Sequence, residues 1–365
     1  MDQGTYDYLS LSKKYDNFTA PGFEVYVDGK KLADGRFHVP GAEIELRADG
    51  TAGGCTFTVE GQYDFENSKW INEAANLIKP GAKLSIKGGY QERKELFYGY
   101  VDEYRVEFKS DGAPLIAVNG LDALGYLMNM CEPFYAGQKK PKQVVETMLK
   151  KSQSAGYAKK VTVGQLDGFE TPVIKEQTDD WTFLRMMAQR YGATLFVVDG
   201  EIVFDTVTAK TAPILTLTIG KSVSRFIKRV SLAHQVGKVE VIGRDINEKA
   251  VQGAASSVTV GGSGKTAAQW VSGLKEAVLR EHSEYVRTQK ECETLAQHRL
   301  NGIAMGFVSG EGECIGIPEL IPGRYIKIEG GDKKTNGAYF LTKVCHRFTS
   351  EEYLTTFEFK GAKTT

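Results

Sequence analysis

A ten-residue pattern occurs twice in this chain of 365 residues and constrains its fold more than any other feature. The first copy, at 80–89, reads PGAKLSIKGG, and the second copy, at 322–331, reads PGRYIKIEGG. Both copies have Pro-Gly at the start, an aliphatic residue at the fifth position, Ile at the seventh and Gly-Gly at the end. An aromatic segment follows each copy, Leu96-Phe97-Tyr98 or Tyr339-Phe340-Leu341. Repeated spacing of this kind predicts two copies of one β module.

The composition is that of an ordinary globular protein, with 41% hydrophobic and 25% charged residues. Lys+Arg and Asp+Glu number 46 each, so no net charge favours nucleic acid or acidic lipid. No apolar run approaches the roughly 18 residues of a membrane-spanning helix, and the polar start MDQGTYDYLSLSKKYD is unlike a signal peptide. The five cysteines show no C-x-x-C spacing, which is typical of reduced thiols in a protein made in the cytosol.

Alternating apolar residues predict a first β-barrel over residues 1–120 and a second over 206–365. Asp28-Gly29 and Asp111-Gly112 are hairpin-turn pairs in the first of these regions. Helical spacing predicts one helix there, which Pro80-Gly81 ends, with apolar positions at Trp70, Ala74, Leu77 and Ile78. In the second region, a small polar loop at 253–264 precedes a predicted helical insertion at about 265–302, with apolar positions at Trp270, Leu274, Val278, Leu295 and Leu300.

Residues 121–205 are predicted to form a separate α+β domain. Pro141 suits the first turn of a helix with an apolar face made of Val144, Val145, Met148 and Leu149. A second helix follows Thr178 as its N-cap and ends at Gly192, with an apolar face made of Trp181, Leu184, Ala188 and Tyr191. Asp199-Gly200 then predicts a tight hairpin between two apolar strands.

The segment GGSGKT at 261–266 is similar to part of a phosphate-binding loop. Gly264-Lys265-Thr266 fits G-x-x-x-x-G-K-[ST], but Thr259 occupies the position of the first glycine. The surrounding elements do not alternate as βαβα, so an exposed Gly/Ser loop is the favoured interpretation. A P-loop nucleotide-binding protein therefore stays an alternative, which a nucleotide titration with Lys265→Ala as control decides.

An acidic cluster at Glu176, Asp179 and Asp180 lies beside Trp181. Paired carboxylates perform acid–base chemistry on glycans, but carboxylates in a first helical turn are also expected from the helix dipole alone. A tail-associated peptidoglycan hydrolase is the alternative that this cluster leaves open.

The histidines show no metal-binding spacing in the sequence; they are His38, His234, His282, His298 and His346. We therefore assign no catalytic, cofactor-binding or metal-binding residue and no cofactor.

The segment QTDDWTFLRMMAQRYGATLFVVDGEIVF at 177–204 resembles the phage late control D family and the related spike and hub proteins of contractile injection systems. In that family an acidic D-W-x-F-L helix runs into a hairpin. Three further segments resemble the family in the same order: Phe97-Tyr98-Gly99-Tyr100-Val101, Val118-Asn119-Gly120-Leu121-Asp122, and Pro322-Gly323 through His346, Tyr353, Thr355 and Phe357. The insertion after 262 and the lack of a needle-like or lysozyme-like part depart from the family pattern, and imply the hub alone with the spike on a separate chain.

The resemblance implies a mainly β chain with α+β: two tail-tube-like β-barrels, a middle α+β domain and a helical insertion. It implies a non-enzymatic baseplate hub that adapts a sixfold tail tube to a threefold spike in a phage tail, tailocin or injection particle assembled in the bacterial cytoplasm. The implied partners are the chain itself as a homotrimer, the tail tube protein, the spike protein, other baseplate proteins and the tape measure. Neither nucleic-acid recognition nor membrane insertion by this chain is expected.

Overall fold

The computed structural model describes residues 4–32, 37–61, 63–70, 76–109, 113–135, 140–169, 174–175 and 177–365. The first third of the chain begins with helix α1 (Tyr8–Lys14) and a 3₁₀ turn (Asp16–Phe18). It continues in ten strands: β1 (Gly22–Val27), β2 (Lys30–Lys31), β3 (Phe37–His38), β4 (Ala42–Arg47), β5 (Gly54–Gly61), β6 (Tyr63–Asp64), β7 (Lys69–Trp70), β8 (Lys83–Gly89), β9 (Arg93–Glu107) and β10 (Leu115–Leu121).

The middle third combines three helices with five short strands. The helices are α2 (Ala123–Leu127), α3 (Pro141–Ser154) and α4 (Asp180–Tyr191). The strands are β11 (Phe134–Tyr135), β12 (Lys160–Val163), β13 (Ile174–Lys175), β14 (Thr194–Val198) and β15 (Glu201–Asp205). A 3₁₀ turn (Val207–Ala209) leads into the last third.

The last third contains nine strands interrupted by helices. The strands are β16 (Pro213–Thr218), β17 (Val223–Val230), β18 (Lys238–Arg244), β19 (Ala250–Ala255), β20 (Val278–His282), β21 (Val308–Ile315), β22 (Tyr325–Glu329), β23 (Gly337–Phe348) and β24 (Tyr353–Gly361). The helical elements are α5 (Ala267–Trp270), a 3₁₀ turn (Ser272–Glu276) and α6 (Gln289–Ala304).

The strands of the first and last thirds repeat one topology. In the first unit the hydrogen-bonded order is β1-β8-β9-β10-β5-β4, and in the second unit it is β16-β22-β23-β24-β21-β17. The strands that occupy equivalent places also follow one another in the same order along the chain. One difference separates the units: β1 is antiparallel to β8, whereas β16 is parallel to β22.

The two copies of the ten-residue pattern begin the same hairpin in the two units. Gly81 and Gly323 both have a positive φ, 81° and 79°, which glycine adopts without a Cβ penalty. The Gly81 N–H donates to the Val101 carbonyl at 2.8 Å, and the Gly323 N–H donates to the Leu341 carbonyl at 2.9 Å. The register also shifts at the same place, beside Asp102 in β9 and beside Thr342 in β23. The prediction of a repeated β module is therefore confirmed at the level of hydrogen bonds.

The two units join through β4, which bonds to β5 on one side and to β23 on the other. The result is a single sheet of fourteen strands. The prediction of a mainly β chain with α+β is confirmed, but the hydrogen bonds of the described strands close neither unit into a separate barrel. In the first unit the physical reason is that the outer edge of β4 pairs with β23 of the other unit, and in the second unit the outer edge of β17 pairs with no described strand. One hydrophobic core accordingly runs through both units.

The middle third and the insertion share a second hydrophobic core. The predicted apolar face of α3 is confirmed, since Val144, Val145, Met148 and Leu149 are buried. The predicted insertion is only partly helical, because Val278 lies in β20 beside β18 and β19. Helix α6 forms as expected and buries Leu295 and Leu300. Within the predicted insertion, α5 and a 3₁₀ turn are followed by strand β20, which adds to the sheet of β18 and β19, and then by α6.

Helix α4 differs from its prediction at two positions. Its N-cap is Asp179, not Thr178, because the Asp179 carboxylate accepts the Thr182 N–H at 2.7 Å. Trp181 is half-buried, not a central core residue, and its indole N–H donates to the Gly50 carbonyl at 2.8 Å. Gly192 ends the helix in the left-handed region at φ 61°, as predicted. Trp181 therefore ties α4 to the first unit while Leu184 anchors its core face.

The predictions near the turns have mixed outcomes. Asp28-Gly29 and Asp199-Gly200 form the expected hairpin turns, with positive φ at all four residues. Trp70 lies in the short strand β7 and pairs with Tyr63, so the predicted helix does not begin there. Ala74 and the predicted turn Asp111-Gly112 lie outside the described residues.

We predict that Ile44→Ala weakens the junction between the two units. Ile44 is fully buried opposite His346, and truncation of such a side chain costs about 2–5 kcal/mol in the free energy of unfolding. Glu43→Ala, on the exposed face of the same strand, is the matched control and is expected to change stability by less than about 0.5 kcal/mol. Urea unfolding followed by circular dichroism measures both; equal effects would contradict the buried junction.

Candidate functional site

The junction between β4 and β23 is built from buried side chains on one face and charged ones on the other. Across the junction Leu46 lies opposite Val344 and Ile44 lies opposite His346, and all four are buried. On the opposite face Lys343 Nζ lies 2.7 Å from Glu45 Oε2. Burial lowers the solvation of this carboxylate, yet hydrogen bonds from Lys343 and Arg47 hold the pKa of Glu45 below its usual value. The junction thus combines a hydrogen-bonded ladder, apolar packing and an ion pair.

His346 is the polar residue at the centre of this junction. Its Nδ1 lies 2.8 Å from the Tyr353 hydroxyl and 3.1 Å from Thr355 Oγ1. Full burial lowers the pKa of His346 to about 3, because the charged imidazolium loses its hydration. The imidazole is therefore neutral at pH 7. Its Nδ1 has two hydroxyl partners, but its buried Nε2 has no hydrogen-bond partner among the described residues, so the predicted satisfied core histidine is confirmed at one ring nitrogen only.

Two strand edges of the fourteen-stranded sheet differ from the junction because no described strand covers them. One is the outer edge of β17, which pairs with β21 alone. The other is the edge of residues 103–108 in and after β9, which extends beyond the end of β8 and pairs on its other side with β10. Apolar side chains along these edges are exposed: Tyr104, Val106, Phe108 and Val230. An open strand edge beside exposed apolar residues is suited to binding a further strand.

The loop that is similar to a phosphate-binding loop has its amides engaged elsewhere. Lys265 exchanges two backbone hydrogen bonds with Thr364, at 2.8 and 3.0 Å. The Thr266 N–H donates to the Gln269 side chain at 2.8 Å, and Lys265 Nζ lies 5.3 Å from the centre of the Trp270 ring. A phosphate cradle requires free N–H groups at the start of a helix. Here the loop attaches the chain's last residues to the four-residue helix α5.

The described carboxylates of the acidic cluster lie in the middle third of the chain, at the start of helix α4. Asp180 is fully buried, with its two carboxylate oxygens 2.6 Å from Lys175 Nζ and 2.7 Å from Lys151 Nζ. Lys175 Nζ also donates to the Glu132 carbonyl at 2.8 Å. Asp179 caps α4; burial alone would raise its pKa, but hydrogen bonds from Thr182 lower it below the usual value. Glu176 lies outside the described residues. The described carboxylates of the cluster therefore have structural partners.

The remaining candidate ligands are dispersed. Among the described residues, no three His, Cys, Asp or Glu side chains come together as a metal site. All five cysteines are free thiols, and burial raises the pKa values of Cys55 and Cys314. No helix in the described part of the chain has the length and apolarity needed to cross a membrane.

A groove of about 690 Å³ lies where helix α6, the loop after α4 and the large sheet meet. Its lining includes Gln297, His298, Asn301 and Thr342. His298 Nδ1 lies 2.8 Å from the Arg190 carbonyl oxygen, and burial lowers its pKa below the usual value. The imidazole therefore packs the helix α6 against α4.

Sequence reasoning missed the open edges, although the repeat contains a signal for them. Continuing the alignment of the two hairpins past the shared register shift places Tyr104, Val106 and Phe108 at the positions of Val344, His346 and Phe348. The first set is exposed and the second set is buried. The sequence shows alternating bulky residues in both segments, but only the structure shows which segment lacks a covering strand.

The whole chain has the fold of phage tail proteins. A tail protein from Neisseria meningitidis superposes with a TM-score of 0.67 and 13% sequence identity, covering 93% of this chain and 96% of that chain. The 43 kDa tail protein of prophage MuSo2 from Shewanella oneidensis superposes with a TM-score of 0.66 and 14% identity, covering 92% and 97%. A type VI secretion component of E. coli, described as structurally similar to the T4 tail proteins gp27 and gp5, gives a TM-score of 0.55 at 13% identity, covering 93% and 78%.

The chain belongs to the Alg8 N-terminal domain family, whose pattern matches residues 20–350. None of the curated proteins matches its sequence.

We predict that the neutral His346 makes folding stability sensitive to acid. The folded pKa is about 3, below the usual value of about 6.5, so the unfolded chain binds more protons between these pH values. The free energy of unfolding therefore decreases as the pH falls below 6.5, by up to about 1.4 kcal/mol per pH unit. His346→Gln removes this contribution, so its urea midpoint is expected to fall less steeply between pH 6.5 and 4 than that of the unaltered chain. Identical slopes would show that His346 is not the group responsible.

Proposed function

We propose that this chain is the baseplate hub of a contractile phage tail or a related injection particle, of the kind that the late control D family represents. The observation that carries the proposal is the pair of six-stranded units with one strand order inside a single chain. The similarity to two tail proteins over more than nine-tenths of each chain supports it. A hub of this kind joins the tail tube to the spike and is the point from which the baseplate assembles.

The proposed hub is a ring of three chains. Each chain supplies two similar units, so three chains place six similar units around one axis. A sixfold tail tube then stacks on one side of the ring, and a threefold spike binds the other. Closed cyclic symmetry is the usual arrangement of soluble homo-oligomers. Under this proposal the boundaries 1–120, 121–205 and 206–365 separate the first tube-like unit, the α+β domain and the second unit.

The role that we propose is structural, not enzymatic. Asp180 is neutralised by two lysines, and the amides of Lys265 and Thr266 have protein partners. These contacts account for the two groups that suggested a cell-wall hydrolase and a nucleotide-binding protein. The PdpA–VgrG complex from Francisella includes a chain of the same fold, with a TM-score of 0.51 and 9% sequence identity, and this chain spans about three-fifths of the length of that chain. That neighbour is consistent with a partner among other particle proteins.

The proposal predicts three copies of the chain per hub. We expect co-expression with the tube and spike proteins of the same particle to yield a complex in which native mass spectrometry counts three copies. The purified complex is expected to hydrolyse neither ATP nor cell wall above a heat-inactivated control. Two or four copies in the assembled complex would contradict the adaptor role. Turnover abolished by Lys265→Ala or by Asp180→Asn, with the fold retained, would contradict the structural role.

A further inference from the structure

The junction inside the chain shows what a covering strand does for this fold. Strand β4 lies along residues 343–348 of β23, with Leu46 opposite Val344, Ile44 opposite His346 and Ala42 opposite Phe348. All of these side chains are at most 5% exposed. The outer half of β23 is therefore an interior strand only because β4 from the other unit covers it.

Two strands correspond to β23 and β4 by their places in the sheet: β9 corresponds to β23, and β17 corresponds to β4. Within one chain β9 and β17 do not pair with each other. The register across the first unit pairs Tyr104 of β9 with Val118, Val118 with Phe57, and Phe57 with Ala42 of β4. The register across the second unit pairs Val344 of β23 with Phe357, Phe357 with Gly312, and Gly312 with Phe226 of β17. Phe226 in β17 therefore occupies the place that Ala42 occupies in β4. The outer half of β9 occupies the place of the outer half of β23.

The exposed fractions of the side chains show that neither the outer half of β9 nor β17 is covered by another strand within one chain. The outer residues of β9 and the residue after it are exposed: Tyr104 at 43%, Val106 at 38% and Phe108 at 52%. Their counterparts in the junction are buried: Val344 at 0%, His346 at 0% and Phe348 at 3%. On the other side Val230 is 51% exposed, whereas Leu46 in the equivalent place is 4% exposed. Tyr104, Val106 and Val230 therefore lack the covering strand that the internal junction has, while the Phe108 ring contacts Tyr63 and Trp70 of the β6–β7 hairpin.

We propose that β17 of one chain pairs antiparallel with residues 103–108 of a second copy of this chain, which repeats the internal junction between chains. The register carried over from the junction places Val230 opposite Tyr104, Lys228 opposite Val106 and Phe226 opposite Phe108. The aliphatic part of the Lys228 side chain then covers Val106, as long lysine side chains do at apolar surfaces. The partner is a second copy because the template for the contact lies within this chain.

On the charged face of the proposed contact, the same register brings together one pair of opposite charges and one pair of like charges. In the internal junction Lys343 forms an ion pair with Glu45 at 2.7 Å. The corresponding positions between chains are Glu103 and Arg229, so the charges are exchanged but remain opposite. Arg105 falls opposite Arg229, and glutamates at 103 and 107 on either side of Arg105 offset this like charge. Opposite charges across neighbouring strands stabilise a pairing by a modest amount and fix its register.

The contact is head-to-tail because one chain contributes β17 and the next contributes β9. Each chain therefore has one donor edge and one acceptor edge, and successive contacts either close a ring or extend a filament. This inference deepens the proposed function, on which it rests for closure at three chains. The strand pairing itself rests on the repeat and can be tested separately.

Cysteine cross-linking tests the register in the full-length chain, with Cys131→Ser to remove the exposed native thiol. The test variant combines Tyr104→Cys with Val230→Cys, which the proposal places directly opposite each other in different chains. Mild oxidation with copper phenanthroline is expected to give covalently linked multiples of the chain that a reductant separates. The matched control combines Tyr104→Cys with Arg229→Cys, whose thiols face opposite sides of the sheet, and is expected to give at least tenfold less product.

A charge exchange gives a second readout that does not depend on cysteines. Glu103→Arg leaves two arginines, at 103 and 105, facing Arg229 and is expected to weaken self-association about two- to fivefold. Adding Arg229→Glu to this variant places a glutamate opposite Arg105 and near the arginine introduced at 103, and is expected to recover at least the unaltered affinity. Analytical ultracentrifugation over a concentration series measures these changes, and circular dichroism verifies that each variant is folded.

The outcomes separate this inference from the proposed function. An oligomer whose 104/230 thiols do not cross-link in preference to the 104/229 thiols overturns the strand pairing and leaves the hub proposal intact. Efficient 104/230 cross-linking in an assembly that does not contain three chains supports the pairing and contradicts the hub proposal. A chain that neither self-associates nor cross-links, alone or with tube and spike proteins, overturns the pairing.

Discussion

Backbone pairing between β4 and β23 joins two six-stranded units that would otherwise have separate cores. A strand edge left in water has unpaired N–H and C=O groups, so covering it both satisfies those groups and buries the apolar residues beside it. Ile44 and His346 meet at this junction with no measurable exposure. This pairing makes the core of the two units continuous, together with hydrogen bonds from the Tyr15 hydroxyl to Glu319 and from the Tyr90 hydroxyl to the Gly316 carbonyl.

The middle third of the chain packs against this sheet through hydrogen bonds and through Phe196 and Val203, which lie in the sheet's own hydrophobic core. The Trp181 indole donates to Gly50, and the fully buried pair of Asp180 and Lys175 secures the start of helix α4. A buried ion pair is costly to break because the remaining charge loses its partner. The carboxylate that the sequence offers as catalytic is thus explained by packing, and the insertion shares the same core through Leu295.

The sequence predicts local structure well where a single residue type decides the backbone. Asp199-Gly200 and Gly192 adopt the predicted turn and helix end, since their positive φ values favour Gly and Asp. The sequence does not reveal that β4 crosses to the other unit, because strand pairing between distant segments leaves no local pattern. Val278 lies in a strand for the same reason: its neighbours across the sheet override its helical spacing. The open edges, which are the candidate assembly site, depend on that long-range pairing and could not be read from either repeat alone.

In our proposal the internal junction is repeated between chains. A cryo-electron microscopy reconstruction of the assembled hub with its spike tests this claim most directly, because it shows which strands are neighbours across the chain boundary. We predict a sheet that continues from β17 of one chain into β9 of the next, with Val230 beside Tyr104. A reconstruction in which these two edges face solvent, or are covered by a different protein, would contradict it.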